Sequence, residues 1–231
     1  SSLRGPGYLN TPVSSIQQND GEAVVRARGR RLRCRYVVMA LPPHVSARIR
    51  VTPELPVLRR EVIQRFQPPR VINCVGVFAE PWWRAKGFSG LANLDTGGFA
   101  SFVDGSHVDS RYGILVGFVS SRRSAELPYD SVRDIETAYL RSVRAAFGEG
   151  PEPKSIHYNY WNSDPLTRGG YAGARGIGDW VQGKDILSRP QGRIHFAGTE
   201  TARAWRGYIE GALESGERAA GEILEAAART T

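Results

Sequence analysis

Residues 196–224 read "FAGTETARAWRGYIEGALESGERAAGEIL". Their first three residues close "GRIHFAG" (192–198), a short apolar run of strand character. A strand thus leads through the loop "TETARAWRG" into a helix expected over 207–228. That helix holds Gly211, Gly216 and Gly221, each costing about 1 kcal/mol against alanine in a helix interior. The first turn of a helix leaves N–H groups without intrahelical acceptors, and the macrodipole adds positive potential there. A phosphate or an electron-rich ring edge would satisfy those donors. Gly207 lets the backbone come close to such a ligand, and Gly207 and Gly211, four apart, share a face. Close packing of the helix on a sheet accounts for the same glycines without a ligand, so both readings stand.

Working outward, "PVSSIQQ" (12–18) and "EAVVRAR" (22–28) read as strands around the turn "NDG". "RRLRCRYVVMALPP" continues as one strand that ends in the apolar run Tyr36–Leu41 and stops at Pro42-Pro43. Residues 55–66 fit a short helix with Leu55, Leu58, Val62 and Phe66 on one side. "VINCVGVFAEPWW", "GFASFVDG", "YGILVGFVS" and "PKSIHYNYW" read as strands. Between the last two lies an amphipathic helix capped by Ser131 and ended by Gly148, with Val132, Ile135, Tyr139 and Val143 at helical spacing. Residues 164–183 are Gly-rich and loop-like. The expectation is a mixed α/β (α+β) fold with two sheets and no regular βαβ alternation.

Composition narrows the function classes. Of 231 residues, 41% are hydrophobic, with five Trp, nine Tyr and eight Phe, enough for a real core. The net charge of +8 comes mostly from scattered arginines; only Lys86, Lys154 and Lys184 are lysines. One cluster, Arg26 to Arg35, has the even spacing of a solvated strand face, and no nucleic-acid motif accompanies it, so no nucleic-acid partner is expected. Cys34 and Cys74 give neither a disulfide framework nor a metal cluster. No apolar run is long enough to span a membrane. His44, His107, His157 and His195 form no acid–base constellation, and His157 and His195 read as core histidines.

The stretch 192–224 resembles the C-terminal signature of the flavin-containing monoamine oxidase family, including the GTET turn, the Trp and the Gly-Tyr pair. "RYVVMALPPHV", "PELPVLRREVIQRF", "VINCVGVFAEPWWRAKGFSG" and "YWNSDPLTRGGYAG" resemble the same family in family order. The resemblance implies the C-terminal part of a two-domain FAD-dependent amine oxidase fold. Residues 1–62 and 164–231 would be parts of the FAD-binding domain, and 63–163 the substrate-binding domain. It implies a flavin against the N-terminal end of the last helix, with the amides near Tyr208 and Ile209 facing the pyrimidine edge. Gly198, Thr199, Glu200 and Thr201 would line the ribityl and phosphate region, with Gly207 close by and Val13 at the adenine end. Tyr171 and Tyr208 match two tyrosines that hold the amine between their rings. Trp161 matches a tryptophan near the flavin, though ordinary core packing would also explain it. Phe102 and Val103 fall on the strand facing the substrate cavity, and which of the two points inward stays open, since a slip of one residue inverts the faces.

Three departures follow from the comparison. Asn73, in "VINC", replaces a lysine that holds a water near the flavin, so slower oxygen reaction or another electron acceptor is expected. Gly170, in "RGGY", replaces the cysteine that binds FAD covalently in some members, so the FAD is expected to be noncovalent. The chain has no GxGxxG unit. The resemblance therefore implies an amine-oxidising subunit acting on a small-molecule amine and completed by an N-terminal FAD-binding polypeptide or missing half. An amino-acid oxidase of the same fold and a non-catalytic scaffold are the alternatives. A cytoplasmic location is the expectation.

Overall fold

The computed structural model describes residues 5–95, 98–119, 131–171, 173 and 185–229. They fall into two compact units, one made of residues 1–68 and 171–231, the other of residues 69–170. The divisions lie a few residues beyond the expected 62/63 and 163/164.

In the first unit, β1 (Val13–Gln18), β2 (Ala23–Ala27) and β3 (Arg30–Cys34) form an antiparallel meander. The "NDG" turn is closed by Asn19, whose Oδ1 accepts the amides of Gly21 and Glu22. Arg26 and Arg31 are cross-strand partners and both exposed, as a solvated strand face requires. The expected single strand through residue 41 is broken. It bends at Arg35, and β4 (Val37–Ala40) leaves for a second sheet. Arg193 fixes that break: its Nη1 donates to Arg35 O (3.1 Å), and its own carbonyl accepts Val37 N–H (2.9 Å). After α1 (Pro43–Ser46), β5 (Arg50–Thr52) pairs in parallel with β1.

The helix expected over 55–66 is α2 (Val57–Arg65); Val62 and Phe66 of the expected apolar side are buried, but Leu58 is not. Leu58 is 52% exposed, whereas Arg59 is buried beside Val62 and Ile63. Burying a guanidinium is tolerable here because carbonyls replace water. Arg59 donates to Leu187 O and Arg189 O, and it lies 3.7 Å over the Phe196 ring. Burial, and secondarily Arg189, pull its pKa down to about 10.

In the second unit, β6 (Ile72–Phe78), β7 (Ala92–Asn93), β8 (Ser101–Asp104), β9 (Gly113–Val119) and β10 (Ser155–Tyr160) form one antiparallel sheet in the order β10-β6-β9-β8-β7. The expected strand through "EPWW" stops at Phe78, and Pro81 opens a short helix, α3 (Trp82–Ala85). The amphipathic helix is α4 (Val132–Phe147). Ser131 Oγ accepts Asp134 N–H at its start, and Gly148 follows its end at φ +77°. Ile135, Tyr139, Val143 and Phe147 are buried with one face of the sheet. Gly76 and Gly117 are the reason the helix fits. A Cβ on Gly76 would lie 2.5 Å from Tyr139 Oη, and one on Gly117 2.8 Å from the rings of Phe99 and Phe102. The Tyr139 hydroxyl then donates to Leu115 O (2.7 Å) and accepts Gly76 N–H (3.1 Å).

Cys74 is fully buried, and burial pushes its thiol up to about 12, which leaves it inert. Asp104 receives hydrogen bonds from Trp83 Nε1, Arg84 Nε and Ser106 N–H. Burial opposes its ionisation, but those bonds outweigh it and hold the pKa at about 2. The entry and exit of this unit meet: Gly170 N–H donates to Pro69 O at 2.9 Å. No helix among the described residues is long and apolar enough to cross a membrane.

Candidate functional site

β11 (Ile194–Ala197) is buried at every residue and pairs in parallel with β4, from Val37↔Ile194 to Ala40↔Ala197. Gly198 then turns the chain at φ +112°, a conformation that favours glycine, and a single 3-10 turn spans Thr199–Thr201. The final helix, α5 (Ile209–Ala228), starts two residues later than expected, because Gly207 has φ +86° and Tyr208 is an extended N-cap residue.

Three side chains of α5 hold this turn. Ser215 Oγ accepts Gly198 N–H (2.9 Å), Glu214 accepts Arg203 N–H (2.8 Å), and Arg218 Nη2 donates to Phe196 O and Thr201 Oγ1. Arg218 also pairs with Glu222, which meets buried His195 Nδ1 at 3.0 Å. Sequence reading passed over this network. Its signal was present: Glu214, Ser215, Arg218 and Glu222 follow helical spacing along the inner side of the helix.

Thr199 ties the loop to the helix start. Its hydroxyl accepts Gly207 N–H (2.6 Å) and donates to Tyr208 O (3.1 Å). Tyr208 N–H donates to Trp205 O (3.1 Å), closing a four-residue turn with Gly207 at the third position, where a type II turn needs positive φ. Gly211 answers one of the glycine questions. A Cβ there would stand 2.2 Å from Trp205 O, so only glycine admits that carbonyl. At Gly216 and Gly221 an added Cβ would meet nothing within 4 Å. Close approach therefore explains Gly211, and the loop backbone rather than a sheet is what approaches.

The first intrahelical bond is Ala212 N–H to Tyr208 O, and the N-cap residue Tyr208 caps no amide with its side chain. The amides of Ile209, Glu210 and Gly211 are thus first-turn donors without an intrahelical acceptor. Ile209 and Glu210 border a concavity of about 840 Å³ that Tyr171, Thr199, Trp205, Gly207 and Tyr208 also line. Tyr171 is 73% and Tyr208 65% exposed, so both rings are available to a ligand. A flat apolar ring system fits this wall: aromatic faces, bare amides at one edge, and a volume in the range of small-molecule sites. Glu200 is half-buried beside Gly198, and burial raises its pKa against the pull of His44.

The other expected site residues have surroundings of their own. Thr201 is buried with its hydroxyl donating to Gly198 O, so it organises the turn from inside. Val13 lies at the start of β1, exposed beside a register shift. Asn73 and Trp161 meet in the second unit, where the Trp161 indole donates to Asn73 Oδ1 at 3.2 Å. An indole can only donate, so it fixes the amide with its NH2 turned away. Phe102 and Val103, both expected on the strand facing the substrate cavity, differ in burial. The Phe102 side chain is fully buried against Phe99, Tyr139 and Phe147, and the exposed side chain on that strand is Val103. A one-residue shift along a strand exchanges the faces. His157 is likewise exposed rather than in the core, bonded to Ser155 Oγ. Among the described residues no group of His, Cys, Asp or Glu is placed to hold a metal ion.

Comparison with known proteins places these features in a family context. The profile described as flavin containing amine oxidoreductase matches residues 2–224. A probable flavin-containing monoamine oxidase A of Dictyostelium discoideum is 36% identical over 220 residues, covering 94% of this chain and 48% of that protein. The flavin-containing amine oxidase A of Bos taurus is 32% identical over 223 residues, covering 94% and 42%. Among solved structures, wild-type putrescine oxidase bound to putrescine superposes with a TM-score of 0.88 at 28% identity, covering 94% of this chain and 49% of that one. Cyclohexylamine oxidase from Brevibacterium oxydans IH-35A superposes with a TM-score of 0.86 at 28% identity, covering 93% and 48%. The chain spans about half the length of the relatives it matches.

Proposed function

The chain belongs to the flavin-containing amine oxidoreductase family, and from that premise we propose that it supplies the amine-facing wall of an FAD-dependent amine oxidase. The observation that supports this most is the concavity at the start of α5, where two exposed tyrosine rings stand beside first-turn amides. Bound FAD would supply the redox chemistry, taking a hydride (two electrons and one proton) from the carbon beside the amine nitrogen. The chain's own residues do the rest. The amides of Ile209 and Glu210 would hold the pyrimidine edge and favour negative charge there, a fixed dipole needing no reorganisation. Gly198, Thr199, Glu200 and Gly207 would border the ribityl and phosphate region, with Val13 at the adenine end. The rings of Tyr171 and Tyr208 would orient a neutral amine between their faces. Trp161 would fix Asn73, whose free NH2 can hold a water but brings no positive charge.

The FAD would be noncovalent. Gly170 offers no thiol, and a Cβ there would already lie 2.5 Å from Val71 Cγ2.

A complementary dinucleotide-binding part would complete the site, on this polypeptide or on a second one. Two observations support it. A two-stranded parallel sheet, β4–β11, is too small to stand as a sheet of its own. In addition, α5 presents Ile209, Leu213 and Leu224 to solvent along one side.

The test is a visible spectrum of the purified protein with every co-purifying chain retained. The expected result is a flavin absorbance bleached by an amine under anaerobic conditions and released into the supernatant by acid. Flavin absorbance unaffected by amines, or no flavin with a dinucleotide-binding partner supplied, would overturn the proposal.

A further inference from the structure

Trp205 stands in the left-handed region, at φ +55°, where a bulky side chain is disfavoured. Its carbonyl is held there from two sides, by the Tyr208 N–H at 3.1 Å and by the bare Cα of Gly211. A glycine or asparagine would satisfy the same backbone with less strain. The indole is not kept for core packing either, since it is 65% exposed. What it does touch is the Tyr208 ring, edge to face, with centroids 6.0 Å apart and planes at 89°. Both rings line the concavity that Tyr171 also lines.

We propose that Trp205 is a positioning residue for Tyr208: the strained turn 205–208 presents the indole so that its edge fixes the plane of the phenol ring. The consequence for catalysis rests on the proposed amine-oxidase reading. A fixed Tyr208 plane sets the width of the amine's approach between Tyr208 and Tyr171, and Trp205 acts through that ring. Tyr208 has only its χ1 and χ2 rotors and is exposed, so without a neighbouring ring its plane is free to turn. Edge-to-face packing supplies that restraint at the one position the turn offers.

The experiment reads the ring directly and needs no flavin. The protein is labelled with fluorotyrosine, and the Tyr208 fluorine resonance is assigned by its loss in Tyr208→Phe. Trp205→Gly removes the ring while accepting the positive φ. The Tyr208 line is expected to move towards the position of free fluorotyrosine and narrow, while the other tyrosine lines stay in place. Trp205→Phe should retain part of the wild-type shift. A Tyr208 line unmoved in Trp205→Gly overturns the proposal. If that variant does not fold, the comparison of Trp205→Phe with wild type decides: an intermediate shift supports it and an identical one overturns it. In the flavin-loaded enzyme, Trp205→Gly should raise KM for the amine roughly tenfold with kcat held within about threefold. A fall in kcat with KM unchanged overturns the positioning role. Failure of the complete protein to take up flavin overturns the amine-oxidase reading and leaves the fluorine measurement to decide Trp205.

Discussion

Gly211 and Gly216 lie in the same helix, yet alanine should act on them in opposite directions. At Gly216 an added Cβ has nothing within 4 Å, so the variant gains helix propensity of about 0.5–1 kcal/mol. At Gly211 the Cβ would lie 2.2 Å from Trp205 O, 2.8 Å from Trp205 C and 3.1 Å from Ala204 O, all backbone atoms. Relief needs a shift of about 1 Å in a loop tied down by Tyr208 N–H and by Thr199 at Gly207. Overpacking of that kind costs about 1–3 kcal/mol, and breaking the Tyr208–Trp205 bond adds about 1 kcal/mol. After subtracting the propensity gain, Gly211→Ala should be destabilised by about 1–3 kcal/mol. The two variants should then melt roughly 10 °C apart. Thermal and urea unfolding followed by circular dichroism would measure this. A Gly211→Ala protein melting at or above Gly216→Ala would refute the close approach of the Trp205 carbonyl.

Three further outcomes are expected. Tyr139→Phe should destabilise the second unit by about 1–3 kcal/mol, because Gly76 N–H and Leu115 O lose a buried partner; an unchanged urea midpoint would contradict this. Asp104 has a pKa depressed from its ordinary value to about 2, so its contribution is full above about pH 4 and lost as the pH falls towards 2. Asp104→Asn should therefore remove about 2 kcal/mol at neutral pH and flatten the acid unfolding curve between about pH 4 and pH 2, and an unflattened curve would refute the linkage. Asn73→Lys should speed reaction of the reduced flavin with oxygen by at least about tenfold in stopped-flow mixing, since it restores a positive charge; an unchanged rate would remove Asn73 from the account.

What was legible in the sequence was whatever depends on local periodicity and on turn chemistry. Ser131 and Gly148 bracket their helix as expected, and "NDG" closes its hairpin, because caps and turns are decided by a few adjacent residues. Faces were harder to read. Leu58 and Arg59 differ by one position on a helix, and the choice was made by carbonyls of Leu187 and Arg189 more than a hundred residues away. Phe102 and Val103 differ by one position on a strand, and the choice was made by the space that Gly117 leaves beside Tyr139. The break at Arg35 depends on Arg193, again distant in sequence. At the candidate site, the glycines were visible as a cost, but the Trp205 carbonyl that requires Gly211 was not. The polar side chains of α5 that hold the GTET turn were visible only as spacing, without the turn they reach.

The hydrogen bond between Pro69 and Gly170 bears on how the chain assembles during synthesis. β4 and β11 are partners separated by the whole of residues 69–170, a long loop to close from an unfolded chain. The inserted unit is continuous, so its own contacts can form first. Once they do, its two ends stand one hydrogen bond apart, and a detour of about a hundred residues behaves as a tight connector of only a few. The middle of the sequence thus shortens the loop between the parallel partners to residues 41–68 and 171–193.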